Sequence, residues 1–519
     1  MQSEQPVNTP HESASKRFTV QLLLGISLYF LLNAVSQGLM STTADLDQAE
    51  QLLLSQSWSL GYGAQPPLYT YLVKLVFLVT GPALWPLRGL KVVLLSVLVG
   101  ALLQIGHLLK FRRDQQLLVV YGLALIPQIV WEAQRDLTHS VLATALAACT
   151  LLQLLRLINR PTWDNHALLG LAVGAGLLSK YNVAIFDAAL LVTALSVPRC
   201  RQALVRPQLL LAFATAGLVM APHLGWVLNH SDLALSGMVK TRRPDPLPVS
   251  GLFSALRSGI AFLTPFWIAA LAMLWPERHR LRWADPGRAP AQAVLQRLPL
   301  VVVAVLLVTV LATGATRIKD RWYQTLLFMA PVSAASLVPP LPASRLRWAI
   351  RVGVTAAGSA ALLLPGRTAM AAFTGKTSRP NYPLPQLVKA IKQRHGVPDL
   401  VLASNGLIGG NARQLLPEIR VLTPQALNPG AALRIEPPAA GSHLLVLLDR
   451  RDTAESIAPL LTRIVDTTPA ISPKLKKPQV NWQQLTSPSR WQPNELYAIR
   501  YAWIKIPDPP QHKPSSNDS

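Results

Sequence analysis

Charge is what this sequence has least of. Only 14% of its 519 residues are Asp, Glu, Lys or Arg, where a soluble protein of this size carries roughly 25%. The shortage falls on the acids, 25 against 49 Lys and Arg. Cysteine is nearly absent: Cys149 sits inside an apolar run and Cys200 in a basic loop, which excludes a disulfide framework. The first apolar stretch, 18–40, has no convincing small-residue cleavage site and is too long for a signal-peptide core. It reads as an uncleaved span. No repeat of fixed period appears, and no inverted repeat of the transporter kind.

What the chain has in abundance is apolar length. Half of its residues are hydrophobic, and runs near 20 residues recur, the length that crosses about 30 Å of hydrocarbon. About eleven spans are expected, at 18–40, 86–109, 115–132, 138–157, 165–179, 183–198, 208–228, 255–275, 298–316, 323–341 and 347–365. The shorter run 68–82 suits a helix lying at the interface. The fold class is therefore a polytopic α-helical membrane protein.

The formal charge of +24 does not point to nucleic acid, because no continuous basic face with interleaved aromatics exists. Basic residues instead cluster between apolar runs: Lys110, Arg112 and Arg113; Arg199, Arg201 and Arg206; Arg278, Arg280 and Arg282. With the N-terminus inside, these fall on the cytoplasmic side, as the positive-inside rule requires. Loops after odd-numbered spans then lie outside, with everything beyond residue 366.

Past Arg367 the texture changes. "LPQLVKAIKQRHG" and "TAESIAPLLTRI" read as helices, "DLVLAS" and "HLLVLLD" as short buried strands. The expected domains are a cytoplasmic tail (1–17), a membrane domain (18–366), a small external α/β domain (367–506) and a disordered tail (507–519).

The segment after the first span, "DLDQAEQLLLSQSWSLGYGAQPPLY" (45–69), is too polar for a plain connector. Its D-x-x-E pair admits a bland reading, a capping box with Asp47 at the N-cap and Glu50 three positions on. Pro66-Pro67 reads as the start of the interfacial helix. The other external loops add cations where positive-inside topology depletes them. These are "WEAQRD" with Glu132, Arg135 and Asp136; Lys180-Tyr181; "WVLNHSD" followed by Lys240, Arg242 and Arg243; and "RIKDRWYQ" with Lys319, Asp320 and Arg321. External cations beside a bilayer call for a lipid phosphate. A carboxylate and several cations at one membrane face suit a reaction on a lipid-linked phosphate substrate: cations hold the leaving phosphate, and a carboxylate takes the proton of an attacking hydroxyl. Each cation also has a plain reading, as surface charge or, for Lys180, a snorkelling residue at a span end.

The loop 45–69, with Trp58, Gly61, Tyr62 and Pro66-Pro67, resembles the first external loop of glycosyltransferase family 39. That family belongs to the GT-C class and includes protein mannosyltransferases and the aminoarabinose transferase acting on lipid A. "GLAVGAGLLSKYNVAIF" (170–186) is similar to the family's glycine-rich run ending in Ser-Lys-Tyr. The resemblance implies an inner-membrane, inverting transferase working at the periplasmic face. Its partners would be a polyprenyl-phosphate sugar donor and a lipid, polysaccharide or protein acceptor, with no nucleic acid. It places Asp47 as the catalytic base and Lys180 at the phosphate, with Glu50, Tyr62, Gln65 and Tyr181 as further substrate contacts; of the loop cations Arg135, Lys319 and Arg321, at least one is expected to meet the phosphate, and which one stays open. Two positions depart from the family: Gln48 replaces a usual Glu, and Gln65 a usual Lys or His. No cofactor is certain and a divalent metal is left open, with His230 as its candidate ligand. The readings set against a transferase are a flippase or transporter of lipid-linked sugars and a noncatalytic envelope-assembly protein.

Overall fold

A computed structural model describes residues 10–239, 249–428, 430–467 and 480–506. The Lys240, Arg242 and Arg243 cluster and the 507–519 tail lie outside the described residues. Each of the eleven expected apolar runs falls on helix. Among the described residues, seven helices are long and apolar enough to cross a membrane, and two bent helix pairs pass the same test. Of the other two runs, one forms the 17-residue helix Trp163–Ser179. The other is broken into Tyr323–Leu327 and Ala330–Leu337.

The bends have local causes. In the third run, Arg113–Leu123 stops ahead of Pro127, whose ring cannot donate to the helical ladder. The chain restarts as a π-helical turn, Gln128–Glu132, at 69° to the first piece. In the sixth, Val183–Leu195 gives way at Pro198 to Pro198–Leu204, turned by 113°. The apolar run at 68–82 forms the helix Leu68–Thr80.

The chain divides into two compact units. The first comprises 1–37, 60–69 and 88–365 and holds most of the membrane helices; the second comprises 38–59, 70–87 and 366–519. The segment 45–69 is thus divided between the units, its first part going with the C-terminal residues.

The second unit is built on a five-stranded sheet of β1 (Leu400–Ala403), β2 (Arg420–Leu422), β3 (His443–Leu448), β4 (Gln483–Ser489) and β5 (Gln492–Lys505), in the order β2-β1-β3-β5-β4. The first three strands are parallel, and β5 runs antiparallel to both its neighbours. β1 and β3 are near-continuous Leu and Val because both faces are covered, as parallel strands require. Leu402, Leu422, Val446, Leu460, Ile464 and Ala502 are among the residues closing the core beneath the helix Ala458–Thr467. The helices Leu384–His395 and Gly406–Leu415 complete the α/β arrangement.

Candidate active site

In the second unit, the helix Leu46–Leu54 carries Asp47 and Glu50. The structure corrects the capping assignment. The N-cap is Asp45, not Asp47: its backbone is extended, its carboxylate accepts from the Leu46 N–H at 3.0 Å, and its own N–H donates to the Gln48 side-chain oxygen. The box has moved two residues upstream, so Gln48 fills the position assigned to Glu50. This also explains an amide at 48, since Gln completes the box as well as Glu. Asp47 is left half-exposed in the first helical turn.

Asp45 is buried and paired. Its carboxylate lies 3.0 Å from Arg379 and 3.9 Å from Arg367. Neither arginine stands out in the sequence, since both fall in the stretch between the last span and the first domain helix. With Lys376 they are three cations in that stretch, and nothing in the sequence sets these two apart.

In the first unit, the remainder of the loop makes a tight turn in which Tyr62 and Gln65 exchange backbone hydrogen bonds of 3.1 and 3.3 Å. Gly61 lies flat against Trp226; a Cβ there would fall 2.3 Å from the indole ring. The Leu60 carbonyl accepts from His223 Nδ1 at 2.6 Å, and the opposite nitrogen, Nε2, meets the Tyr181 hydroxyl at 3.0 Å. Burial pushes the Tyr181 phenol up to about 12. Beside it, Lys180 donates to Ser140 Oγ at 2.6 Å. His139 faces the Ser179 carbonyl at 3.4 Å and carries the Tyr69 ring against its own.

Two further hydrogen bonds gather the remaining loops. Asn182 Nδ2 donates to the Trp322 carbonyl at 3.4 Å, and Gln128 Nε2 to Asp320 at 2.9 Å. They bring the loops of Lys180 and Tyr181, of Arg135, and of Lys319 and Arg321 to one end of the helical bundle. Arg135 is ion-paired with Glu132 at 2.9 Å, while Lys319 and Arg321 are exposed. His230 stacks on Trp226, its Nδ1 3.0 Å from the Trp226 carbonyl one turn back. Among the described residues no three His, Cys, Asp or Glu side chains group closely enough to hold a metal ion.

His139 and His223 were not singled out from the sequence. His223 sits in the middle of an apolar run, and a polar ring there is the signal that was available.

The sequence pattern of the dolichyl-phosphate-mannose-protein mannosyltransferase family matches residues 64–226. The lipopolysaccharide core galacturonosyltransferase RgtA of Rhizobium johnstonii is 30% identical over 503 residues, covering 94% of this chain and 97% of that protein. RgtB of the same organism, also a lipopolysaccharide core galacturonosyltransferase, is 31% identical over 420 residues, 77% of this chain and 82% of the relative. The crystal structure of ArnT from Cupriavidus metallidurans bound to undecaprenyl phosphate superposes with a TM-score of 0.60 over 93% of this chain and 97% of that one, at 12% identity. That likeness shows the fold. The chain belongs to the GT-C class of membrane glycosyltransferases, in the family that includes the lipopolysaccharide core galacturonosyltransferases.

Proposed function

We propose that the protein transfers a galacturonosyl group from a polyprenyl-phosphate carrier to a hydroxyl of lipopolysaccharide, at the periplasmic face of the inner membrane. The observation that carries this reading is that the Asn182–Trp322 and Gln128–Asp320 bonds join the loops bearing Lys180, Arg135, Lys319 and Arg321 at one end of the bundle. Cations concentrated at one end of a bundle embedded in lipid suit a phosphate that must gain charge as it leaves. The sugar and acceptor classes come from the relatives RgtA and RgtB.

In the proposed step the acceptor oxygen attacks the anomeric carbon as the bond from that carbon to the phosphate oxygen breaks, with inversion. The acceptor proton passes to Asp47, and the electron pair of the broken bond leaves on polyprenyl phosphate. Asp47 suits the role of base. It stands half-exposed in the first turn of Leu46–Leu54. Asp45 does not suit it, because capping and two arginines occupy its oxygens.

The test uses the full chain in detergent, with polyprenyl-phosphate-linked galacturonic acid, a neutral hexose or aminoarabinose as donor and purified lipopolysaccharide as acceptor. Mass spectrometry follows free polyprenyl phosphate and the mass gained by the acceptor. Release with a hexuronic acid gain by wild type, absent in Asp47→Asn, is the expected result. Release from none of the donors would overturn the substrate assignment, and full turnover by Asp47→Asn would remove the base.

A further inference from the structure

The helix bearing Asp47 is anchored by residues more than three hundred positions along the chain, all within the second unit. Ahead of it, the Ala44 N–H donates to Asn411 Oδ1 at 2.8 Å and the Ala44 carbonyl accepts from Asn411 Nδ2 at 3.3 Å. Behind it, the Val421 N–H donates to Gln56 Oε1 at 2.8 Å while Gln56 Nε2 donates to the Val421 carbonyl at 3.0 Å. An amide that both gives to and takes from one residue's backbone fixes rotation as well as distance. Between these clamps Gly410 lies against Ala49, so closely that a Cβ would come 2.3 Å from the Ala49 carbonyl oxygen. Upstream, Ser41 and Thr43 donate to the carbonyls of Pro380 and Tyr382 at 2.7 and 2.6 Å. Burial of Leu52 and Leu53 would hold a loop helix in place; it would not set its register to this degree.

The cap adds charge to the geometry. Asp45 is two residues from Asp47, well inside the ~10 Å screening distance of ordinary buffer. Arg379, at 3.0 Å from the Asp45 carboxylate, and Arg367, at 3.9 Å, offset its negative charge. The other charged groups of this unit on the elements bonded to or packed along this segment are Glu50 on the helix itself, Arg413 on Gly406–Leu415, Lys74 on Leu68–Thr80 and Arg420 on β2, the last paired with Glu436.

We infer that the C-terminal α/β domain is a positioning element for the transfer reaction, with Arg379 as its principal positioning residue: through Asp45 it fixes the place and the charge surroundings of Asp47. The inference rests on Asp47 being the base in the function proposed above. It gives the external domain a part in the chemistry without any contact to substrate, since a misplacement of about 1 Å at a reacting group costs on the order of 100-fold in rate.

Three variants of the full chain test it, each assayed per mole of folded enzyme. Arg379→Gln lowers kcat by about 10- to 100-fold with donor KM within about twofold. It leaves the Asp45 charge less compensated, so the acid limb of the kcat–pH profile moves to higher pH. Asp45→Asn keeps a capping side chain but deletes the negative charge while both arginines remain, so the same limb moves to lower pH. Arg379→Lys restores most of kcat. Limbs displaced in opposite directions are a result that loss of fold stability alone does not give. A lowered melting temperature with kcat and pH profile unchanged would overturn the inference, as would both limbs staying in place. Asp47→Asn is run alongside. If it retains turnover, the base assignment falls and the inference with it; if it is inactive while Arg379→Gln behaves as wild type, the positioning role alone falls.

Discussion

Tyr181 and His223 are joined hydroxyl to Nε2 at 3.0 Å, and the same imidazole reaches the Leu60 carbonyl through Nδ1 at 2.6 Å. A carbonyl can only accept, so Nδ1 carries a proton; in the neutral imidazole Nε2 then accepts and Tyr181 donates. The neutral ring therefore ties the segment next to Lys180 to the second half of the 45–69 loop. Tyr181→Phe removes one bond and should cost about 1 kcal/mol. His223→Leu strands two partners at once and should cost more than twice as much. Melting temperatures in detergent check the order; equal losses would show that the His223–Leu60 bond holds nothing.

The phenol of Tyr181 makes a pH prediction of its own. Burial raises it from the usual 10 to about 12. Between those values the folded chain keeps a proton that the unfolded chain has lost, so stability falls as pH rises through that window. Tyr181→Phe should flatten this part of the stability–pH curve while leaving the curve below pH ~9 unchanged in shape. An identical decline in the variant would assign the effect to other groups.

Much of this was legible in the sequence, and the exceptions have physical reasons. The eleven apolar runs all fall on helix because lipid leaves the backbone few other solutions, and "DLVLAS" and "HLLVLLD" are strands because buried parallel strands demand such runs. The hairpin of β4 and β5 was missed. In Gln492–Lys505 the buried Tyr497, Ile499 and Tyr501 alternate with Ala498 and Arg500, a period of two hidden by a mixture of aromatic and charged neighbours. The capping box was misplaced because D-x-x-E and D-x-x-Q occur two residues apart, and only the extended backbone at Asp45 decides between them. The Asp45–Arg379 pair was out of reach, as it joins residues 334 positions apart. By contrast, Lys180 and Tyr181 stand out in the sequence, because a polar tetrapeptide between two apolar runs is conspicuous.

Gly61 offers a steric prediction. Its backbone conformation is ordinary, so the constraint is the Trp226 ring, at 2.3 to 2.5 Å from an added Cβ. Gly61→Ala should destabilise by about 1–3 kcal/mol, the usual range for overpacking. Adding Trp226→Leu should recover part of that loss, because it removes the obstructing ring. If the double variant is no more stable than the sum of the singles predicts, the two residues do not press on each other as described.

Lys180 is where the proposed chemistry is most exposed to test. Its Nζ donates to Ser140 Oγ at 2.6 Å, so one of its three N–H groups is committed to fixing the ammonium's direction. An ammonium that stabilises a departing phosphate acts on the transition state more than on the bound donor, and its loss then appears mainly in kcat. Lys180→Met should lower kcat/KM by about 100- to 1,000-fold, as removal of an electrostatic stabiliser typically does. Lys180→Arg keeps the charge but not the compact geometry and should recover only part. Ser140→Ala leaves the charge and frees its direction, so its loss should stay under about tenfold, with kcat affected before KM. The result against this role would be a Lys180→Met enzyme whose kcat is normal and whose affinity for free polyprenyl phosphate is unaltered. That would return Lys180 to a snorkelling cation at the end of a span, and leave the phosphate to Arg135, Lys319 or Arg321.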